Sequence, residues 1–238
     1  MKKQILHTIY TLFADWSGLP EAACHAGCST CCTRNVTITA LEGELILRWA
    51  QVEGLASWLG KVLEMAGPGQ TPAQTTNEFA RACLEGREGV EEAEPDLSPC
   101  PFLDGGTCRI YPVRPFACRV FISTVRCRQG QAAVVPEEYF LAATALLQLI
   151  EHLGQREYWG NMFDVLPALL DIGEFANIAA GLNPVMTLQA RLRTRSASPL
   201  PGFLLPEGKE AEAVRQLLDT VFARRIDGRR IDDILNGR

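Results

Sequence analysis

Thiols carry most of the chemistry open to this chain. Nine cysteines occur, at Cys24, Cys28, Cys31, Cys32, Cys83, Cys100, Cys108, Cys118 and Cys127, and none lies beyond residue 127. Eight of them fall into two groups, Cys24-x3-Cys28-x2-Cys31-Cys32 and Cys100-x7-Cys108-x9-Cys118-x8-Cys127. Thiolates two or three residues apart can face one ion, because the turn of backbone between them points both sulfurs inward. Adjacent side chains diverge in helix and strand alike, so Cys31 and Cys32 are not expected to share one tetrahedral ion. One of the pair then serves a second centre, stays free or takes part in redox chemistry. The candidate metal ligands are therefore Cys24, Cys28, Cys31, Cys32, Cys100, Cys108, Cys118 and Cys127. They suffice for two four-thiolate sites, or for one cluster with spare thiols. An all-sulfur set selects zinc, iron or an iron–sulfur cluster over calcium and magnesium, which take oxygen ligands.

Charge around the second group favours ligation over simple packing. From Cys100 to Arg128 stand Arg109, Arg114, Arg119, Arg126 and Arg128, against one acid, Asp104. A divalent ion with four thiolates keeps a residual negative charge, which guanidinium groups and backbone N–H donors compensate. The same arginines would lower the thiol pKa values. Tyr111 is expected to pack against the metal region, and Arg114 to donate hydrogen bonds to thiolates or carbonyls. Cys83 shares no spacing with the other eight and stands at helical spacing from Phe79, which reads as core packing. His25 lies beside Cys24 and is an alternative ligand, although a solvated histidine at a helix flank is the simpler reading. Ser29, Thr30 and Ser123 have no Asp/His pattern that would make a nucleophile triad. No glycine-rich phosphate loop occurs either, since Gly105-Gly106 belongs to a turn. Arg191, Arg193, Arg195 and the later Arg224, Arg225, Arg229 and Arg230 read as solvated helix ends that complement the helix dipole.

The elements that position these groups read as helices almost throughout. Ile5, Ile9, Leu12 and Trp16 predict an amphipathic helix over 3–16. Thr39-Ala-Leu-Glu42 is a capping-box pattern that opens a helix to about residue 51. Further helices are expected over 52–66 and 72–84, the latter capped by Thr71. Six acids and one arginine between Glu85 and Asp96 mark a solvated loop. Asp104-Gly105-Gly106 predicts a hairpin turn, and Pro115 starts a short helix over 116–120. Helices follow over 136–154, 162–171, 184–194 and 208–224. The expected fold is mainly α, a helical domain with a cysteine-rich metal-binding core that contains loops and a short hairpin. Residues 1–130 form the cysteine-cluster region with its flanking helices. Residues 131–238 form a helical region packed on it, and the two make one unit or two closely docked lobes.

Composition narrows the function classes. The chain has 238 residues, 47% of them apolar, and a formal net charge of −5, which suits a folded core rather than disorder. A mildly acidic chain lacks the basic face of a nucleic-acid binder. The N-terminal apolar face is broken by His7 and Asp15, unlike a signal peptide. The most apolar stretch, 139–153, is interrupted by Gln148, Glu151 and His152 and is too short to span a bilayer. A cytoplasmic protein with reduced thiols and a metal ion as its partner is the expectation.

Cys28-x2-Cys31-Cys32, Cys100-Pro-Phe-Leu, Cys108-Arg-Ile-Tyr111, Arg114-Pro115-x2-Cys118-Arg119 and Cys127 together resemble the bacterial CxxCxxCC cysteine-cluster family, the YkgJ-type proteins described as zinc- or iron-chelating. The resemblance covers roughly residues 20–130 and implies a metal site whose biological role is unassigned. Cys24 and Cys28 are three residues apart where the family pattern has two. The Cys24-x3-Cys28-x2-Cys31 spacing also equals the cluster motif of radical S-adenosylmethionine enzymes, and flagellin lysine methylases contain a similar cysteine-rich region. An iron–sulfur oxidoreductase or a cluster-dependent, S-adenosylmethionine-linked modification enzyme is thus the alternative function.

Overall fold

The apolar spacing at the start of the chain becomes α1 (Lys2–Ala14), which buries Ile5, Leu6, Ile9, Tyr10 and Phe13 on one face. The structure, a computed structural model, describes residues 1–16, 18–25, 27–128, 131–170 and 173–237, with the Glu210 side chain set aside. A short strand β1 (Thr37–Thr39) runs directly into α2 (Ala40–Val52). There the expected capping box forms: the Thr39 hydroxyl accepts the Glu42 N–H, and the Glu42 carboxylate accepts the Thr39 N–H. The next helix begins later than its composition suggests. Gly54 takes φ +69°, a left-handed conformation that ends α2, and α3 spans Ala56–Ala66.

The helix expected over 72–84 is also shorter, because a second capping box decides its start. Thr75 and Glu78 cap each other's backbone, so α4 spans Thr76–Leu84 and Pro72 to Gln74 stay outside it. Residues 85–98 contain neither helix nor strand. The hairpin follows as expected, with β2 (Leu103–Asp104) antiparallel to β3 (Thr107–Cys108). Its tip needs positive φ at both central residues, and Gly105 (+56°) and Gly106 (+84°) supply it. Pro115 then leads α5 (Phe116–Val120).

Beyond the cysteines come α6 (Glu137–Leu153), β4 (Tyr158–Asn161), α7 (Met162–Ala168), α8 (Ala176–Ala179), α9 (Pro184–Arg193), β5 (Arg195–Ser196) and α10 (Lys209–Ala223). A last hairpin, β6 (Arg225–Ile226) with β7 (Arg229–Arg230), precedes α11 (Ile231–Leu235). The fold is mainly α. The small antiparallel sheet β1-β4-β5 escapes sequence reading, since strands of two to four residues have no period to detect. No helix among the described residues is long and apolar enough to cross a membrane.

Two apolar clusters hold these elements. One gathers α1, α6, α10 and α11 around Phe116 of the short helix α5. The other gathers α2, α3, α7 and α8 around Phe102 and Ile110, which flank the cysteine hairpin. Each such fully buried side chain contributes about 1.5–3 kcal/mol. Both clusters therefore grip the cysteine-bearing segments directly. The polar residues of α6 clamp α4 and the loop after β5: Gln148 pairs with Gly202 O and Leu204 N–H, Glu151 accepts Asn77 N–H and Ser198 N–H, and His152 Nδ1 accepts Leu200 N–H. These are the residues that interrupt the apolar stretch in the sequence.

Candidate metal centre

Backbone pairing sets the cysteine-bearing segments side by side. Thr33 and Pro99 form an isolated antiparallel bridge, and Cys100 N–H donates to Cys32 O at 3.0 Å while Arg34 N–H donates to Ser98 O. This backbone pairing sets Cys32 beside Cys100 across 68 residues of chain. The hairpin then returns Cys108 opposite Leu103, and α5 supplies Cys118. A local rule repeats on the hairpin. Cys100 and Cys108 each have, two residues on, an apolar anchor that is 0% (Phe102) and 1% (Ile110) exposed. The anchors' backbone N–H groups donate to the two sulfurs. Burying the anchor thus aims an N–H dipole at the thiol, a partner that favours the charged form.

The four sulfurs share one electrostatic neighbourhood. Cys32 feels the charges of Cys118, Cys100 and Cys108, and Cys118 feels those of Cys100 and Cys108. Burial pushes the Cys100 thiol up to about 11, against the pull of the Phe102 N–H and the Arg34 guanidinium. Burial also raises Cys108, opposed by the Ile110 N–H and Arg114. Cys118 is raised by burial first and then by Cys100, Cys108 and Glu42. The vicinal pair divides its roles: a hydrogen bond from Cys31 to Cys32 lowers the Cys32 thiol and raises that of Cys31. Cys31 also lies 3.9 Å from Phe121 O. Among the described residues no group of three or more Cys, His, Asp or Glu side chains is arranged so that it could hold a metal ion as it stands. What is assembled is a set of soft donors with N–H and guanidinium partners beside them, and that chemistry fits a thiophilic cation.

Residues 23–140 match the model of a family described as "CxxCxxCC: Putative zinc- or iron-chelating domain". This segment belongs to the CxxCxxCC family. No curated protein and no solved structure matches the chain.

All eight candidate ligands lie within the CxxCxxCC domain, but the structure regroups them across the two sequence clusters. Cys32 keeps its hydrogen bond with Cys31 while the backbone bridge sets it beside Cys100 and within the field of Cys108 and Cys118. Cys127 instead lines a pocket of about 280 Å³ with Cys24, Cys28 and His25. His25 is exposed there, whereas all eight of these cysteines are half-buried. Cys83 corrects the sequence reading: it is exposed on α4 rather than packed in the core. Tyr111 is 56% exposed rather than buried, and the Arg114 guanidinium stacks 3.6 Å from its ring centroid.

Sequence reasoning missed the residues that hold the CxxCxxCC domain from outside its cysteines. Glu42, 4% exposed, accepts Tyr10 OH at 2.7 Å and Phe116 N–H at 2.8 Å besides capping α2. One carboxylate thereby joins α1, α2 and the first residue of the Cys118 helix. Arg119 Nε donates to Arg114 O, and its guanidinium lies 4.6 Å from the Tyr10 ring centroid. Arg34 reaches Ala66 O and Pro68 O, and Asn161 Nδ2 of β4 donates to Arg34 O. The basic run over α9 and β5 is half-buried and paired rather than free in solvent. Arg193 pairs with the fully buried Asp164 at 2.6 Å, Arg195 donates to Pro72 O and Ala73 O, and Arg191 donates to Ala168 O.

Proposed function

We propose that the CxxCxxCC domain binds zinc or iron through clustered thiolates, with Cys32, Cys100, Cys108 and Cys118 as the principal ligands. Cys24, Cys28, Cys31 and Cys127 supply further thiols. The observation that carries this reading is the backbone pairing that sets Cys32 beside Cys100, with Cys108 returned by the hairpin two strands on and both hairpin cysteines followed by a buried anchor residue. Four thiolates accept a zinc ion or an iron–sulfur cluster equally well. The reading places the protein in the cytoplasm, where thiols stay reduced, with the metal ion as its partner. The metal-binding reading stands ahead of the oxidoreductase and methyl-transfer alternatives, because soft thiol donors with guanidinium and N–H partners support it and the matched family is described by zinc or iron chelation.

The test is elemental analysis with a visible spectrum on protein purified without oxygen, for the natural chain and for Cys118→Ser. Expected is stoichiometric zinc in a colourless sample, or iron with a charge-transfer spectrum, and loss of that metal in Cys118→Ser. A folded natural chain that takes up neither metal, or a Cys118→Ser chain that keeps its full complement, overturns the proposal.

A further inference from the structure

The arginines near the C-terminus are not simply the solvated helix ends that their place in the sequence suggests. Arg224 alone of the four stands at a helix C-terminus, as the C-cap of α10. Arg225, Arg229 and Arg230 belong to the hairpin β6–β7, and all four are exposed. A two-residue turn closes this hairpin, with Asp227 at φ +51° and Gly228 at φ +82°, the positive pair that a type I′ turn needs. The register sets Arg225 directly opposite Arg230. One residue further out, Ile231 N–H donates to Arg224 O at 2.8 Å. Arg225 and Arg230 are therefore a non-hydrogen-bonded pair, the kind whose side chains approach most closely. Like charges placed so weaken a hairpin.

Among the described residues no carboxylate pairs with Arg224, Arg225 or Arg230. Arg225 Nη1 donates to Gly228 O at 2.6 Å, which fixes the side chain without neutralising it. Asp232, the first acid of α11, accepts Asn236 Nδ2–H instead. The hairpin also walls a shallow hollow of about 430 Å³ whose other wall is α1. Lys3, Gln4, His7 and Thr8 line it from the helix, and Arg225 and Asp227 from the hairpin. Lys3 pairs with Glu44 at 2.8 Å at the surface, a contact of the exposed kind that gives way at little cost.

We propose that this hollow binds a small phosphorylated ligand, with Arg225 and Arg230 on its phosphate and Lys3, Gln4, His7 and Thr8 as further donors. Guanidinium forks match phosphate oxygens in pairs, and a phosphate monoester carries close to two negative charges at neutral pH. The volume is that of a small-molecule pocket. A nucleic-acid strand fits less well, because each hairpin strand is two residues long and Asp227 stands at its tip. Occupation cancels the repulsion between the two arginines and fastens the hairpin to α1.

The probe is inorganic phosphate, added to the full chain at constant ionic strength with chloride as the reference. Equilibrium dialysis with radiolabelled phosphate should give one saturable equivalent, and saturation should raise the thermal midpoint by about 2–4 °C. Arg225→Gln and Arg230→Gln should each weaken that binding at least about tenfold. Without phosphate both should melt no lower than the natural chain, since each removes one of two opposed charges. Arg87→Gln makes the same change of charge on the acidic segment and should bind phosphate as the natural chain does. No saturable equivalent in the natural chain, undiminished binding in both hairpin variants, or an equal loss in Arg87→Gln overturns the proposal. Sedimentation with phosphatidylglycerol vesicles separates the other source of this chemistry. Capture by vesicles without saturable binding of free phosphate assigns the arginines to a lipid surface and overturns the pocket.

Discussion

Glu42 shows how a residue far from the cysteines governs their placement. Its carboxylate takes N–H or O–H donors from Thr39, Tyr10 and Phe116 with almost no solvent to replace it. Glu42→Gln keeps the shape but turns an amide NH2 toward those donors, and should cost about 2–3 kcal/mol in urea unfolding. The same variant should release bound metal faster, since Phe116 is the first residue of the helix carrying Cys118. An unchanged urea midpoint would remove Glu42 from this role. The sequence shows Thr39-x-x-Glu42 as a capping box, because that signal is local. It cannot show that the second carboxylate oxygen faces Tyr10 and Phe116, which lie 32 and 74 residues away. The candidate site divides the same way. The cysteine spacings are legible, while the regrouping of Cys32 with Cys100 depends on a backbone bridge that no spacing encodes.

At the scale of elements, the legible boundaries are those with a chemical mark of their own. Thr39 opens α2, Gly105-Gly106 turns the hairpin and Pro115 starts α5, each where the sequence puts it. Where two marks compete, as Thr71 and Thr75 do before α4, the full Thr-x-x-Glu pair prevails, because it satisfies two orphan N–H groups rather than one. The polar face of α6 gives a pH prediction. Burial holds the His152 imidazole below its usual value of 6.5, and its Nδ1 accepts Leu200 N–H, which requires that nitrogen unprotonated. A depressed folded-state value means that the stability from neutral His152 is present above pH 6.5 and is lost as pH falls through the folded value. His152→Gln retains an acceptor without the titration. The urea midpoint of the natural chain should therefore drop more steeply on acidification than that of His152→Gln. Glu151, raised by burial, acts in the opposite sense but is common to both chains. Parallel curves would show that His152 contributes nothing to the acid sensitivity.

For the molecule as a whole, the cysteine half shares its core with the helices that follow it. Ile5, Ile9, Phe13 and Phe116 pack with Tyr139, Leu146 and Leu149 of α6 and with Val214 and Val221 of α10. A chain ending at residue 130 keeps every cysteine yet loses these partners. It should show no cooperative urea transition and no slowly released zinc, and a cooperative transition with metal retained would mean that the cysteine region folds alone. The bridge at Thr33 and Pro99 bears on the acidic segment in another way. Cys32 and Cys100 are fastened to each other by their own backbone, and residues 90–96 are tied back to Gln70, Ala73 and Gln74. The stretch around Arg87 and Glu88 thus sets nothing at the thiols, and doubling a loop adds only about 0.6 kcal/mol of closure entropy. A reporter peptide inserted at that stretch should leave the urea midpoint and the metal content of the chain unchanged.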